Sequence, residues 1–470
     1  MAHIYLSAAH KSSGKTTISI GLTRELSRRG YRVQPFKKGP DYIDPLWLTE
    51  SAGRACLNLD YHTTPRDEIR RSFASLLGDA DLGLVEGNVG LFDSVDLEGS
   101  NSNAELVKLL RAPLVLVIDT QGMGRGIAPL LLGYQAFDPG LSIDGVILNK
   151  VGGERHAANL RRVVEHYTGL PVLGSVPRLP AVGIQERHLG LMPSNEAGAS
   201  DAVIERIRAV VADHVDVEQV AAIAARAPAL DVGIPDVRIL NVGIMEQQRA
   251  GPRPDGPLVR IGIARDDAFG FYYPDDLAAL TRWGAELVPF SPVRDPELPD
   301  VDALFIGGGF PECRMRELDD NASMRASVAD FIASGGPAYA ECGGLMYLAK
   351  RLRWNGGHAD MCGVIDSDVV MYERPQGRGY VRLHQTDAFP WPVGGVDHGR
   401  DICAHEFHHS ALVDRDPRWV YAYQVRRGTG IDGKHDGIVQ QNLLASYAHL
   451  RDVGGVGWTE RFVNYIRATI

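Results

Sequence analysis

Leu304–Glu312, reading LFIGGGFPE, and Gly335–Leu348, reading GGPAYAECGGLMYL, decide how the chain is read. Ala303–Ile306 and Pro337–Ala340 are short apolar runs with the bounds of buried strands. The second stops at Glu341-Cys342-Gly343-Gly344 and passes straight into an apolar segment of helical character. This predicts a cysteine at a sharp strand-to-helix turn, exposed above a sheet and near the positive end of a helix dipole. Such a setting lowers a thiol pKa and favours the nucleophilic thiolate. Gly343 and Gly344 allow a tight turn and can aim N–H groups at a developing oxyanion, with Gly308 and Gly309 after the previous strand as further candidates. The bland alternative is a structural core cysteine. Against it, Ser446-Tyr447-Ala448-His449 follows an apolar strand and offers a base about a hundred residues downstream.

Working outward, the N-terminal half carries a second chemistry. A strand at Ile4–Ser7 runs into Ala8-Ala9-His10-Lys11-Ser12-Ser13-Gly14-Lys15-Thr16-Thr17, then into the apolar-periodic helix ISIGLTRELSRRG. Strand, GK[ST] loop and helix make the phosphate-cradling P-loop, with Ser12, Ser13, Gly14 and Thr17 in the cradle. Lys15 would reach the β/γ-phosphates of ATP and Thr16 would ligate Mg2+. Ala9 stands where the full pattern has glycine; the alternative is a polar loop capping a helix.

A strand at Tyr31–Phe36 ends in Lys37-Lys38-Gly39-Pro40-Asp41-Tyr42-Ile43-Asp44-Pro45, on the ligand side of an open α/β sheet. A strand at Leu82–Val85 ends in Glu86, a candidate metal ligand of Walker-B type. The polar segment from Ser94 to Asn103 is expected to fold over substrate. Strands at Pro113–Asp119, Gly145–Asn149 and Val172–Val176 alternate with helices near Ile127–Ala136 and Ala157–Thr168. That alternation predicts a doubly wound parallel sheet. Asp201–Ala225 reads as amphipathic helix.

Residues 228–257 are rich in Pro and Gly without sustained period and read as a linker. They separate a domain over 1–227 from one over 258–470, which has strands at Leu258–Ala264 and Ala285–Pro289 and a closing helix from Trp458. Within the second domain, Ala404–His408 and Gly379–Thr386 read as antiparallel strands. His405-Glu406-Phe407-His408-His409 matches HExxH, which chelates zinc on a helix. On a strand, His405 and His409 lie roughly 13 Å apart, too far to share one ion.

A chain of 470 residues fits two or three domains, and its net charge of −10 argues against nucleic-acid binding. No apolar run approaches the length of a membrane span. MAHIYLSAAHKSS is too short and polar for a signal peptide. Five scattered cysteines without CxxC suggest reduced thiols and a cytoplasmic location.

GGGFPE, YAECGGLMYL, HEFHHS and SYAHL together resemble the glutamine amidotransferase domain of cobyrinic acid a,c-diamide synthases and cobyric acid synthases. GPDYIDP and the stretch from Gln185 to Leu191, QERHLGL, resemble the same family, and the likeness covers nearly the entire chain. The resemblance implies an α/β protein: a P-loop NTPase-like doubly wound domain, then a glutamine amidotransferase domain of the Cys–His, triad-type class. It implies that Cys342 attacks the side-chain amide of L-glutamine with His449 as base. It also implies that Asp41 and Asp44 serve metal and substrate, Lys37 phosphate, and Asn149 the adenine. Tyr42 and Asp93 join the substrate site, although Phe92 and Ser94 depart from the family's Gly-Leu-Tyr-Asp-Gly. HEFHHS becomes a structural or interdomain motif, with no roles assigned to His405, His408 or His409.

The implied activity is a carbon–nitrogen ligase that activates tetrapyrrole carboxylates with ATP and Mg2+ and amidates them with ammonia from glutamine. This needs a closed path from Cys342 to the ATP site. Cobyrinate is one expected substrate; the family also includes enzymes of hydrogenobyrinic acid, nickel sirohydrochlorin and sirohaem. The loop AAHKSSGKTT, GLFDSVD and HEFHHS depart from the cobyrinate pattern and keep sirohaem in play. A homodimer is left open. Two readings from other classes are a P-loop ATPase switch with a degenerate amidotransferase module and an ATP-independent cysteine hydrolase; an intact Cys–His pair speaks against the first.

Overall fold

The computed structural model describes residues 1–178, 186–187, 190–196, 200–230, 256–391 and 401–470. The greater part of the expected linker, and Gln185, His188 and Leu189 of the QERHLGL stretch, lie outside the described residues. The chain divides into two compact units, Met1–Gln247 and Gln248–Ile470.

The first unit is built on seven parallel strands: β1 (Ala2–Ala8), β2 (Val33–Lys38), β3 (Leu57–Leu59), β4 (Leu82–Glu86), β5 (Leu114–Asp119), β6 (Ile143–Val151) and β7 (Val172–Pro177). Their order across the sheet is β3-β2-β4-β1-β5-β6-β7. Both faces are covered, so the strands are largely apolar, with polar residues gathered toward the ends of β2 and β4, and successive residues feed opposite cores. Tyr5 and Phe36 join one layer with Phe73, Leu106, Leu131 and Leu160. Ile4, Leu6 and Val33 join the other, with Ile18, Leu22 and Val211. Helix α1 (Lys15–Arg28) lies on the second face and starts at Gly14.

The sequence reading misses several elements of this unit, the helix Asn103–Leu110 among them, and misplaces others. Helix α2 (Ile43–Ala52) begins inside GPDYIDP, strand β3 goes unread, and so does helix α3 (Arg66–Leu77). Strand β2 starts and ends two residues later than expected, which puts Lys37 and Lys38 in the strand itself. The single helix expected over 201–225 is two, Ser200–His214 and Val217–Ala224. The break comes at Asp216, whose carboxylate accepts the Gln219 N–H at 2.9 Å as an N-cap.

The second unit holds a nine-stranded sheet in the order Ala285–Phe290, Val259–Ala264, Ala303–Ile306, Ala338–Glu341, Leu443–Ser446, His435–Gln440, Val420–Arg427, Gly377–Gln385, Asp401–His408. The first four neighbouring pairs are parallel and the remaining four antiparallel. Glu341 pairs with Ser446 in register, so the ends of these two strands bring Cys342 and His449 together across about a hundred residues of sequence.

Candidate active site

Cys342 follows the Ala338–Glu341 strand with φ 47° and ψ −97°, and the short helix Gly343–Leu348 begins behind it. A left-handed φ on a residue with a Cβ is strained, and such strain gathers at functional turns. The expected exposure is wrong: Cys342 is only 7% exposed. Its N–H donates to the Ser446 carbonyl at 2.7 Å, and its thiol faces the Phe407 carbonyl at 3.9 Å. The glycines are there because nothing larger fits. A Cβ on Gly344 would stand 2.1 Å from the Ile306 carbonyl oxygen, and one on Gly308 2.7 Å from the His449 ring. Gly309 and Gly343 pack backbone on backbone, a Cβ on Gly343 reaching within 2.9 Å of the Gly309 nitrogen.

His449 is 3% exposed and lies between two partners. Its side chain hydrogen-bonds Cys342, and Nδ1 faces Glu341 Oε2 at 3.2 Å. Burial works against a charged ring, but the Cys342 and Glu341 hydrogen bonds and the charges of both outweigh it and lift the pKa to about 10. Glu341 is fixed in turn: Oε1 accepts the Leu450 N–H at 2.9 Å and the Tyr339 hydroxyl at 2.5 Å. The result is a Cys–His–Glu constellation in which the acid directly precedes the nucleophile. Glu341 is the residue the sequence reading passes over. Its signal was a buried acid at a strand end next to the cysteine.

HEFHHS lies on and just beyond the Asp401–His408 strand. His405 and His449 exchange backbone hydrogen bonds, with N···O of 3.3 and 2.8 Å. His408 Nδ1 pairs with the Ser410 carbonyl at 2.7 Å and its ring stacks on Tyr447 at 3.8 Å. His409 Nδ1 lies 3.1 Å from the Tyr372 carbonyl. The motif backs the thiol site within this unit.

In the first unit, Ser12 (φ 62°) and Gly14 (φ 90°) turn the loop after β1 into a concave nest at the start of α1. The loop is pinned from behind. Asn149 Nδ2 donates to the Ser13 carbonyl at 2.8 Å, and Lys150 donates to the Ser12 carbonyl at 2.8 Å. A Cβ on Gly14 would collide with Asn149 at 2.1 Å. Asn149, expected at an adenine, thus shapes the loop through one of its two amide N–H groups. Thr17 is half-buried in the first turn of α1, and Lys15 Nζ donates to the Val89 carbonyl at 2.6 Å. Burial, reinforced by the nearby Lys37 charge, presses the Lys15 pKa down to about 8.

Lys37 is saturated by carboxylates rather than left open for phosphate: it hydrogen-bonds Asp44, and Glu86 Oε1 at 2.8 Å, and lies 3.7 Å from Asp41. Burial disfavours its charge, but Asp44 and Glu86 more than restore it. Burial beside Asp44 pushes Asp41 up to about 7, and burial raises Glu86 as well. In Asp44 the Lys37 charge beats burial and keeps the carboxyl low. Tyr42 precedes α2 as its N-cap residue. Asp93 accepts the Gly90 N–H at 2.7 Å, and buried Asn103 binds the carbonyls of Asn88 and Gly90 at 2.6 and 2.7 Å. These bonds fix the loop after β4. From Ser94 to Asn101 the expected cover closes on itself, Ser94 Oγ donating to Asn101 at 2.7 Å.

Among the described residues no group of three or more His, Cys, Asp or Glu side chains forms a ready metal cage. Mg2+ needs none, since it binds through one or two carboxylates, a hydroxyl and substrate phosphates. The donor set fits. The Thr16 hydroxyl lies 2.8 Å from Glu86 Oε1 and 3.2 Å from Asp44 Oδ2, and the buried Glu86 Oε2 has no hydrogen-bond partner among the described residues.

A P-loop unit and a thiol-amidotransferase unit in one chain define a glutamine-dependent amidating ligase. Residues 8–191 match the CobQ/CobB/MinD/ParA nucleotide binding domain, and residues 260–451 match the CobB/CobQ-like glutamine amidotransferase domain. The chain is 44% identical to the cobyrinate a,c-diamide synthase of Magnetococcus marinus, over 99% of this chain and 97% of that one. It is 40% identical to the enzyme of the same name from Methanosarcina acetivorans, over 96% and 92%, and to that from Archaeoglobus fulgidus, also 40%, over 98% and 96%. The chain belongs to the cobyrinate a,c-diamide synthase family. Among the described residues no helix is long and apolar enough to cross a membrane.

Proposed function

We propose that the chain amidates the a and c acetate carboxylates of cobyrinate, drawing nitrogen from glutamine and energy from ATP, in the cytoplasm. The observation that carries the reading is the buried Cys342–His449–Glu341 arrangement in a chain that also holds a pinned P-loop.

With a pKa of about 10, the His449 ring carries its proton at neutral pH and is the acid poised beside the Cys342 sulfur. The Cys342 thiolate attacks the glutamine side-chain carbonyl. His449 gives its proton to the departing nitrogen, so ammonia leaves and a glutamyl thioester remains. Water, deprotonated by His449, then cleaves the thioester to glutamate and the free thiol. N–H groups around Gly308, Gly309, Gly343 and Gly344 are the candidates to receive the oxyanion.

A carboxylate resists ammonia because its leaving group would be oxide. Transfer of the ATP γ-phosphoryl group gives an acyl phosphate and ADP; ammonia then displaces phosphate and leaves the amide. Ser12, Ser13, Gly14 and Lys15 hold the phosphates, and Tyr42 and Asp93 belong to the carboxylate side. Thr16, Asp44 and Glu86, with Asp41 beside them, would hold Mg2+, which neutralises phosphate charge when bound. Residues 1–227 form the synthetase domain, 228–257 the linker and 258–470 the amidotransferase domain.

The test offers cobyrinic acid and sirohaem side by side to the wild-type chain and to Cys342→Ala, with ATP, Mg2+ and either glutamine or ammonium. The expected product by mass spectrometry is cobyrinic a,c-diamide. In the variant it forms from ammonium and not from glutamine. Amidated sirohaem alone reassigns the substrate, and undiminished glutamine-dependent product in the variant ends the thiol mechanism. Sedimentation of the same preparation checks for a homodimer.

A further inference from the structure

We infer that Lys38, supported by Asn88, anchors a non-reacting side-chain carboxylate of the polycarboxylate substrate. The inference rests on the synthase reading above and adds a binding residue to it. Lys38 is the last residue of β2 and is 5% exposed. Its ammonium has one hydrogen bond among the described residues, to Asn88 Oδ1 at 3.1 Å. An ammonium carries three donors, and a buried one is costly unless an anion meets it. Its neighbour Lys37 has that company in Asp44 and Glu86; Lys38 shares neither. Asp60 acts on Lys38 through space only and Lys37 opposes it, so burial prevails and the pKa falls to about 8. Open donors on a buried cation at the carboxyl end of a parallel strand face the region where open α/β sheets take ligands.

Position selects a carboxylate over a nucleotide phosphate. Successive side chains of a strand leave on opposite faces. Lys37 shares its face with Val33, the α1 side, and meets Glu86 beside Thr16. Lys38 shares its face with Phe36, in the layer away from α1. The P-loop follows β1, two strands across the sheet from β2, roughly 10 Å away. Asn88 is half-buried and precedes exposed Val89, so the amide next to Lys38 opens toward solvent. A substrate with several carboxylates needs its non-reacting ones held, and a charge-assisted ammonium contact does that.

The experiment measures steady-state amidation of cobyrinic acid by the full chain with ammonium as nitrogen donor, ATP and Mg2+, comparing Lys38→Met and Lys38→Arg with wild type. Lys38→Met is expected to raise KM for cobyrinic acid by about tenfold or more, with KM for ATP changed less than about twofold and Lys38→Arg in between. Asn88→Ala is expected to raise the same KM more mildly, and it carries the test if circular dichroism finds Lys38→Met unfolded. A rise in KM for ATP alone assigns the lysine to phosphate and overturns the inference, as do unchanged KM values in folded variants. Wild-type chain that makes no amide from cobyrinic acid refutes the synthase reading itself; wild-type synthesis with an unaltered variant KM refutes only the anchor.

Discussion

Glu341→Gln replaces one oxygen by NH2 and leaves the shape of the most enclosed part of the thiol site intact. At about 1.36 kcal/mol per pH unit, the rise of His449 from 6.5 to about 10 amounts to about 5 kcal/mol in favour of the charged ring. Cys342 and Glu341 supply it against burial; Glu341's share, as one charge-assisted hydrogen bond, is about 2 kcal/mol. That predicts a fall of about 30-fold in glutamate release. The loss grows if the new amide N–H points at Nδ1, because the ring must then carry its proton on Nε2 and cannot accept the thiol's. The assay compares glutamine-dependent and ammonium-dependent amidation in one preparation: the first falls, the second holds. The pH profile adds a signature. The raised pKa stabilises the fold fully below the ring's unfolded value near 6.5, and that contribution disappears as pH climbs through about 10. In the variant the alkaline limit of glutaminase moves to lower pH. Wild-type glutaminase in Glu341→Gln, or equal losses with both nitrogen donors, would refute the reasoning.

Lys15→Ala is expected to abolish amide formation with glutamine and ammonium alike while leaving circular dichroism unchanged; retained synthesis would remove Lys15 from the nucleotide site. Gly344→Ala drives a methyl within 2.1 Å of the Ile306 carbonyl oxygen, backbone that cannot swing aside. It should destabilise the second unit by about 2 kcal/mol, read as a lower urea midpoint by fluorescence, together with lost glutaminase. An unchanged midpoint would mean the helix behind Cys342 is looser than its packing indicates.

What could be read from residues alone was whatever a single strand and the loop after it encode. The P-loop, the cysteine turn and the strand before His449 each announce themselves within about ten residues, through an apolar run followed by a reactive side chain, with glycine beside it in the first two. Pairings across the sheet were not legible. Glu341 acquires its place only because Ala338–Glu341 runs beside Leu443–Ser446 and delivers Nδ1 of His449 to its carboxylate. Asn149 reads as the last residue of its strand, yet the strand runs on to Val151, and nothing local shows that Gly14 approaches its side chain from β1's loop. The exposure expected of Cys342 failed for a related reason: the covering segment, Asp401–His408, comes from the far edge of the sheet's connectivity and folds its Phe407 carbonyl onto the thiol. Helix α2 was missed because its start, Tyr42-Ile43-Asp44-Pro45, also has the composition of a turn.

The two units differ in how complete they are without a ligand. At the thiol site the charged groups around the nucleophile are already met: His449 by Cys342 and Glu341, and Glu341 by Leu450 and Tyr339. Such a site is preorganised, and its reactivity needs no reshuffling of charge when an uncharged amide arrives. In the P-loop unit Lys37 holds together carboxylates that would otherwise repel, Glu86 Oε2 has no partner among the described residues, and Lys38 keeps donors unused. Buried donors and acceptors left open in this way are costly until a ligand meets them. The P-loop unit is therefore the one whose buried groups call for ligand, while the thiol site is already set.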